Sequence, residues 1–107
     1  MTEQEIQRRI KKDLEVKGAY VTKVNPGVFG AVVGHADLVC SILATFPKLD
    51  YAIIPICLYI EVKTRTGKVS MMQDIWLRER IKEGHFACVA RSTQDVIEYL
   101  ASQGVII

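Results

Sequence analysis

The run Tyr59-Ile60-Glu61-Val62-Lys63 interrupts an apolar stretch with a carboxylate and an ammonium. Side chains alternate between the faces of a β-strand, so Glu61 and Lys63 share one face while Ile60 and Val62 share the other. Upstream, Gly34-His35-Ala36-Asp37-Leu38-Val39 sets a second carboxylate, Asp37, at the start of another apolar run. If the two runs pair as an antiparallel hairpin, the start of one lies beside the end of the other and Asp37 meets Glu61. Two carboxylates a few ångström apart repel unless a cation neutralises them. Mg²⁺ suits such a site, because it takes oxygens from one or two carboxylates and leaves its other positions to water and phosphate. A cation held there polarises a phosphodiester and acidifies a water, and a nearby lysine orients the nucleophile or stabilises the developing charge. Spacing alone leaves a second reading open, in which Lys63 and the two acids form a structural ion pair at a strand end.

These residues need elements to position them. Residues 3–17 place Ile6, Ile10 and Leu14 at i, i+4 and i+8, one apolar stripe on a helix. Thr2 with Glu5 makes a capping box, and Gly18 stops the helix. Residues 19–24 form a short strand that Asn25-Pro26-Gly27 ends as a turn. Residues 37–46 and 52–62 are two β-rich runs joined by Pro47-Lys48-Leu49-Asp50 as a hairpin. Their near-continuous apolar character predicts strands covered on both faces, and Pro55 predicts an edge position or a bulge. A second helix runs over 71–83 between Ser70 and Gly84, followed by a strand over 86–90. Ser92 with Asp95 opens a last helix carrying Val96, Ile97 and Leu100, which Gly104 ends. The order is helix, three strands, helix, strand, helix, which makes an α/β sandwich.

Asp37, then Glu61-Val62-Lys63, then a helix bearing Gln73 resembles the PD-(D/E)XK nuclease superfamily, and more narrowly the VRR-NUC family of virus-type replication-repair nucleases. The resemblance runs over nearly the whole chain. It takes in Glu3-Gln4-Glu5-Ile6-Gln7, Val24-Asn25-Pro26-Gly27 and Gly34-His35-Ala36-Asp37, with Ala36 standing where the family often has proline. It continues through Ile60-Glu61-Val62-Lys63, Gly67-Lys68-Val69-Ser70-Met71-Met72-Gln73, and Gly84 before the strand that leads to Arg91-Ser92. The fold this implies is α/β, a restriction-endonuclease-like α-β-β-β-α-β(-α) core with a mixed central sheet flanked by helices.

The resemblance also implies roles. Asp37 and Glu61 would ligate Mg²⁺ or Mn²⁺, with the backbone carbonyl of Val62 completing the protein ligands. Lys63 would assist the attacking water, and Gln73 would lie near the site. Ser70-Met71-Met72-Gln73 is itself a capping box, and the two roles of Gln73 are compatible. For the acid that this family places on the first helix, Glu3 and Glu5 are both candidates. Glu3 lies on the Ile6, Ile10 and Leu14 stripe, whereas Glu5 is about 100° from Ile6 and has the capping role, so Glu3 is favoured.

The function implied is a metal-dependent endodeoxyribonuclease acting on branched or structured DNA of the Holliday-junction kind. Such substrates have two-fold symmetry, which makes a homodimer the expected state. The alternative is a non-catalytic nucleic-acid-binding module that kept the fold. The candidates for phosphate contact are Arg65, Lys68 and Arg78 near the site, and Arg8 and Lys12 on the solvated side of the first helix. His35 reads as a loop residue, and Trp76, near Met72 and Ile75, as core packing.

The whole chain sets bounds on these readings. Its 107 residues, half of them hydrophobic and about a quarter charged, suit a single domain over 1–107. A net charge of +2 leaves phosphate binding to a local patch. The N-terminus has no apolar leader, and the apolar stretch over 38–62 is too interrupted to span a bilayer. Cys40, Cys57 and Cys88 read as reduced, buried thiols of a cytoplasmic protein (host cytoplasm for a phage-encoded chain).

Overall fold

The computed structural model describes residues 1–25 and 34–107. The elements are α1 (Glu3–Val16), β1 (Tyr20–Lys23), β2 (Leu38–Phe46), a 3-10 turn (Pro47–Leu49), β3 (Ala52–Val62), α2 (Met71–Lys82), β4 (Phe86–Ala90) and α3 (Thr93–Ser102). This is the expected order. Of the turn expected at Asn25-Pro26-Gly27, Pro26 and Gly27 lie outside the described residues.

The strands form one mixed sheet in the order β1-β2-β3-β4, antiparallel except for the parallel pair β3 and β4 that α2 connects. The register between β2 and β3 runs unbroken from Leu38↔Ile60 to Phe46↔Ala52, so Pro55 makes no bulge. Pairing with β4 begins only at Leu58, so β3 is a local edge at Pro55, where a missing N–H costs nothing.

Helices α1 and α3 cover one face of the sheet. Ile10 and Leu14 of α1 and Val96 and Leu100 of α3 pack with Leu38, Leu58 and Ile60, all fully buried. Each such side chain contributes about 1.5–3 kcal/mol of transfer free energy. The stripe that selects this face is the predicted one, and Thr2 and Glu5 close both halves of the capping box. Gly18, Gly84 and Gly104 follow the three helices with positive φ, the left-handed stop that glycine adopts without penalty.

On the opposite face, Trp76 and Leu77 of α2 pack with Ala36, Ala87, Tyr59 and Val89. Here the expectation of strands covered on both faces is corrected. Helix α2 has 12 residues and β3 has 11, lengths of about 18 Å and about 36 Å. One short helix therefore covers only the end of the sheet near Tyr59. Beyond it Tyr20, Leu43 and Ile53 are exposed, and β2 alternates between buried and open positions. No helix among the described residues is long and apolar enough to cross a membrane.

Candidate active site

The hairpin register places Asp37, the residue just before β2, across from Glu61 near the end of β3. The backbone carbonyl of Asp37 accepts from Val24 N at 2.8 Å, which extends the β1 pairing by one step. Its side-chain Oδ2 accepts the Val62 N–H at 2.8 Å, so the carboxylate is docked on the β3 backbone. Lys63 N donates to Ala90 O at 3.1 Å and anchors that end of β3 to β4.

Glu61 is only 1 % exposed. Its Oε1 receives two cationic or polar groups, Gln73 Nε2 at 2.7 Å and Lys63 Nζ at 3.5 Å. Its Oε2 is buried and has no hydrogen-bond partner among the described residues. Gln73 is held from its other end: Oε1 accepts from Ser70 N at 2.9 Å, and Ser70 Oγ accepts from Gln73 N at 3.1 Å. That network orients the amide, because an oxygen toward Ser70 N–H leaves the NH₂ for Glu61. The capping-box geometry and the contact with Glu61 coexist in one side chain.

Burial pushes the Glu61 carboxyl up to about 8, and the charge of Asp37 adds to the rise while Lys63 opposes it. A buried carboxylate oxygen without a donor is costly unless a cation reaches it. The donor set here, Glu61 Oε2 with Asp37 beside it, is of hard oxygens and fits a divalent cation of the Mg²⁺ or Mn²⁺ kind. A strand residue directs its N–H and C=O to the same flank, so the Val62 carbonyl lies on the flank of Asp37.

The other expected residues are less gathered. Glu3 is half-buried on the inner side of α1, while Glu5 is exposed and hydrogen-bonded to Thr2. No three His, Cys, Asp or Glu side chains cluster among the described residues, so Glu3 is not joined to the Asp37–Glu61 pair. Arg65 and Lys68 are exposed in the segment between β3 and α2. Arg78 is exposed and paired with Asp74 at 2.9 Å, and Arg8 and Lys12 are exposed on the outer side of α1. His35 lies in the loop before β2, as expected, and its ring packs 4.2 Å from that of Trp76, which Tyr59 meets edge-on at 5.1 Å. Trp76 is buried, and the Arg80 guanidinium lies 4.7 Å from its ring. Cys40 and Cys88 are buried free thiols pushed up to about 11 and about 12 by desolvation, and Cys57 is free and half-buried.

Two residues near the site have roles that spacing did not signal. Gly34 has φ +87°, and a Cβ there would stand 2.6 Å from the Met72 carbonyl oxygen, so the segment leading to Asp37 lies against the start of α2. Arg91 Nη2 donates to Gly67 O at 2.8 Å and ties the end of β4 to the segment carrying Arg65.

No protein-family model and no curated protein sequence matches the chain. A solved structure described as a VRR_NUC domain superposes on 94% of this chain and 97% of its own, with a TM-score of 0.66 and 21% sequence identity. The shared architecture matches the mixed four-stranded sheet flanked by helices described above: the chain has the fold of a VRR_NUC domain.

Proposed function

We propose that this protein is a Mg²⁺- or Mn²⁺-dependent endodeoxyribonuclease that hydrolyses phosphodiester bonds in branched or structured DNA. The observation that carries the reading is Glu61: a buried carboxylate with one oxygen held by Lys63 and Gln73 and the other without a partner among the described residues, beside Asp37. A structural ion pair has no need of a second acid crowding the first, since that raises the cost of ionisation. A metal-binding reading accounts for both acids at once.

Asp37 and Glu61 are the side chains that would hold the cation, with the Val62 carbonyl beside them. When bound, a divalent cation supplies Lewis-acid polarisation of the phosphodiester. The protein supplies the rest. Lys63, its side chain 11% exposed, is fixed by Glu61 and carries a positive charge to the place where negative charge develops. Gln73 keeps Glu61 Oε1 engaged, so that Oε2 would be the oxygen left for the cation. The Asp37 carboxylate is pre-oriented by the Val62 N–H and needs no rearrangement. The branched substrate and a homodimer rest on the resemblance to VRR-NUC proteins and on the two-fold symmetry of junctions.

Incubation with a four-way DNA junction and Mn²⁺ tests the reading. Cleavage by the wild-type protein and its loss in Lys63→Ala, with binding retained, is the expected result. No cleavage, or equal cleavage by the variant, overturns it. Salt-sensitive binding that is indifferent to metal and to Asp37→Ala marks the protein as a binding module instead.

A further inference from the structure

We propose that the cleft between the N-terminal half of α1 and the β4–α3 junction is a second phosphate subsite, gripping the backbone of the cut strand beyond the scissile bond. This rests on the nuclease reading; it joins Arg65, already a candidate for phosphate contact, to Arg91 and Arg9, which carried no such role.

Two adjoining hollows of about 310 and 380 Å³ share Ile6 and Arg91 as lining residues. Arg9 and Thr93 wall the first, and Arg65 walls the second. Three arginines, from α1, the β3–α2 segment and the end of β4, thus line the two hollows. Their charges are unequally compensated. Arg9 faces Asp13 at 3.5 Å, and that carboxylate also accepts from the Thr93 hydroxyl at 2.7 Å. The Arg65 and Arg91 guanidinium groups have no carboxylate partner among the described residues, although the Arg91 backbone N–H donates to Asp95 Oδ2 at 2.8 Å. Arg91 spends one nitrogen on Gly67 O, which fixes the segment carrying Arg65 and leaves the other donors of its fork for an anion. The first turn of α3, at Thr93, opens on the same surface and adds the favourable end of a helix dipole.

The position relates this cleft to the active site. Lys63 N is bonded to Ala90 O, so Lys63 and Arg91 leave neighbouring strands side by side at the same end of the sheet. Glu61 and Lys63 lie on the α2 face and the cleft on the α1 and α3 face, so a DNA strand would join them by passing around this end of the sheet, its phosphates recurring about every 3.4 Å of helix rise.

The test is binding of a fluorescent four-way junction in EDTA, titrated across salt concentrations. Variants are Arg65→Gln/Arg91→Gln and, as the conservative form, Arg91→Lys. Lys17→Gln/Lys48→Gln removes the same charge at the far end of the sheet. The expected result is at least a tenfold loss of affinity for Arg65→Gln/Arg91→Gln, with the slope of log K against log salt reduced by roughly two. Arg91→Lys recovers part of the affinity, the distal pair leaves the slope unchanged, and Mn²⁺ affinity and melting temperature of Arg65→Gln match wild type. A junction cut by the wild-type protein but bound equally by the double variant, or weakened no more than by the distal pair, overturns the subsite alone. A wild-type protein that neither binds nor cuts DNA overturns the nuclease reading and the subsite with it.

Discussion

Gln73 Nε2 donates to Glu61 Oε1 at 2.7 Å while the same side chain caps its own helix through Ser70 N at 2.9 Å. The N-terminus of α2 is therefore a fixed arm that reaches the buried acid. Two substitutions separate the arm from its anchor. Ser70→Ala removes the cap and costs about 1 kcal/mol of stability. It leaves the Gln73–Glu61 hydrogen bond formable, so Mn²⁺ affinity by calorimetry stays near wild type. Gln73→Ala loses about the same stability and also frees Glu61 Oε1, so Mn²⁺ affinity and the cleavage rate fall, by roughly tenfold if the bond is worth about 1.5 kcal/mol. Equal metal affinity in the two variants would remove Gln73 from the site.

Glu61 makes the metal-free protein sensitive to pH in an unusual direction. Its folded carboxyl titrates near 8 against an ordinary 4.5, chiefly through burial. Between these values the folded state keeps a proton that the unfolded state has released, so stability falls as pH rises. The contribution is fully present below about 4.5 and is lost as pH rises through about 8. Urea unfolding in EDTA at pH 5, 6.5 and 8 is expected to show this decline in wild type and a flatter profile in Glu61→Gln. Parallel profiles would show that Glu61 is ionised throughout. A cation reverses the trend, because it binds the ionised form: Mn²⁺ affinity rises over the same interval and binding releases protons.

The sheet makes the next contrast. Leu58 is fully buried under α1 and α3, whereas Leu43, on the face beyond α2, is 64% exposed. Leu58→Ala is expected to cost about 2–5 kcal/mol and Leu43→Ser less than about 0.5 kcal/mol. Denaturant midpoints measure both. A large loss at Leu43 would show that this face is covered in solution.

That difference marks how far the chain could be read before its structure. The Asp37, Glu61 and Lys63 group was legible because strand alternation and hairpin register are local rules, and both held through an unbroken Leu38↔Ile60 to Phe46↔Ala52 ladder. The helix stripe and caps were legible for the same reason. Coverage of the outer sheet face was not, because it depends on how the length of α2 compares with that of β3 once they are packed. The bond from Arg91 to Gly67 was not either, since it joins residues 24 apart in the chain whose meeting requires the parallel crossover. Glu3 is half-buried, in keeping with its place on the apolar stripe, but periodicity carries no distance to Glu61.

Gly34 offers the sharpest separation of backbone strain from site geometry. Gly18 and Gly34 both have φ near +90°, a region that costs other residues about 1–2 kcal/mol. A Cβ on Gly18 meets nothing within 4 Å, so Gly18→Ala pays that cost alone. A Cβ on Gly34 would lie 2.6 Å from Met72 O and 3.1 Å from Gln73 N, both backbone atoms that cannot swing aside. Either the start of α2 retreats, drawing Gln73 from Glu61, or the segment before Asp37 shifts and the Val62 N–H loses its acceptor. Gly34→Ala is therefore expected to melt lower than Gly18→Ala and, unlike it, to lose Mn²⁺ affinity and cleavage at least tenfold. The two variants compared at a temperature where both remain folded decide the matter: equal metal affinity would mean that the close approach of Gly34 to α2 serves packing alone.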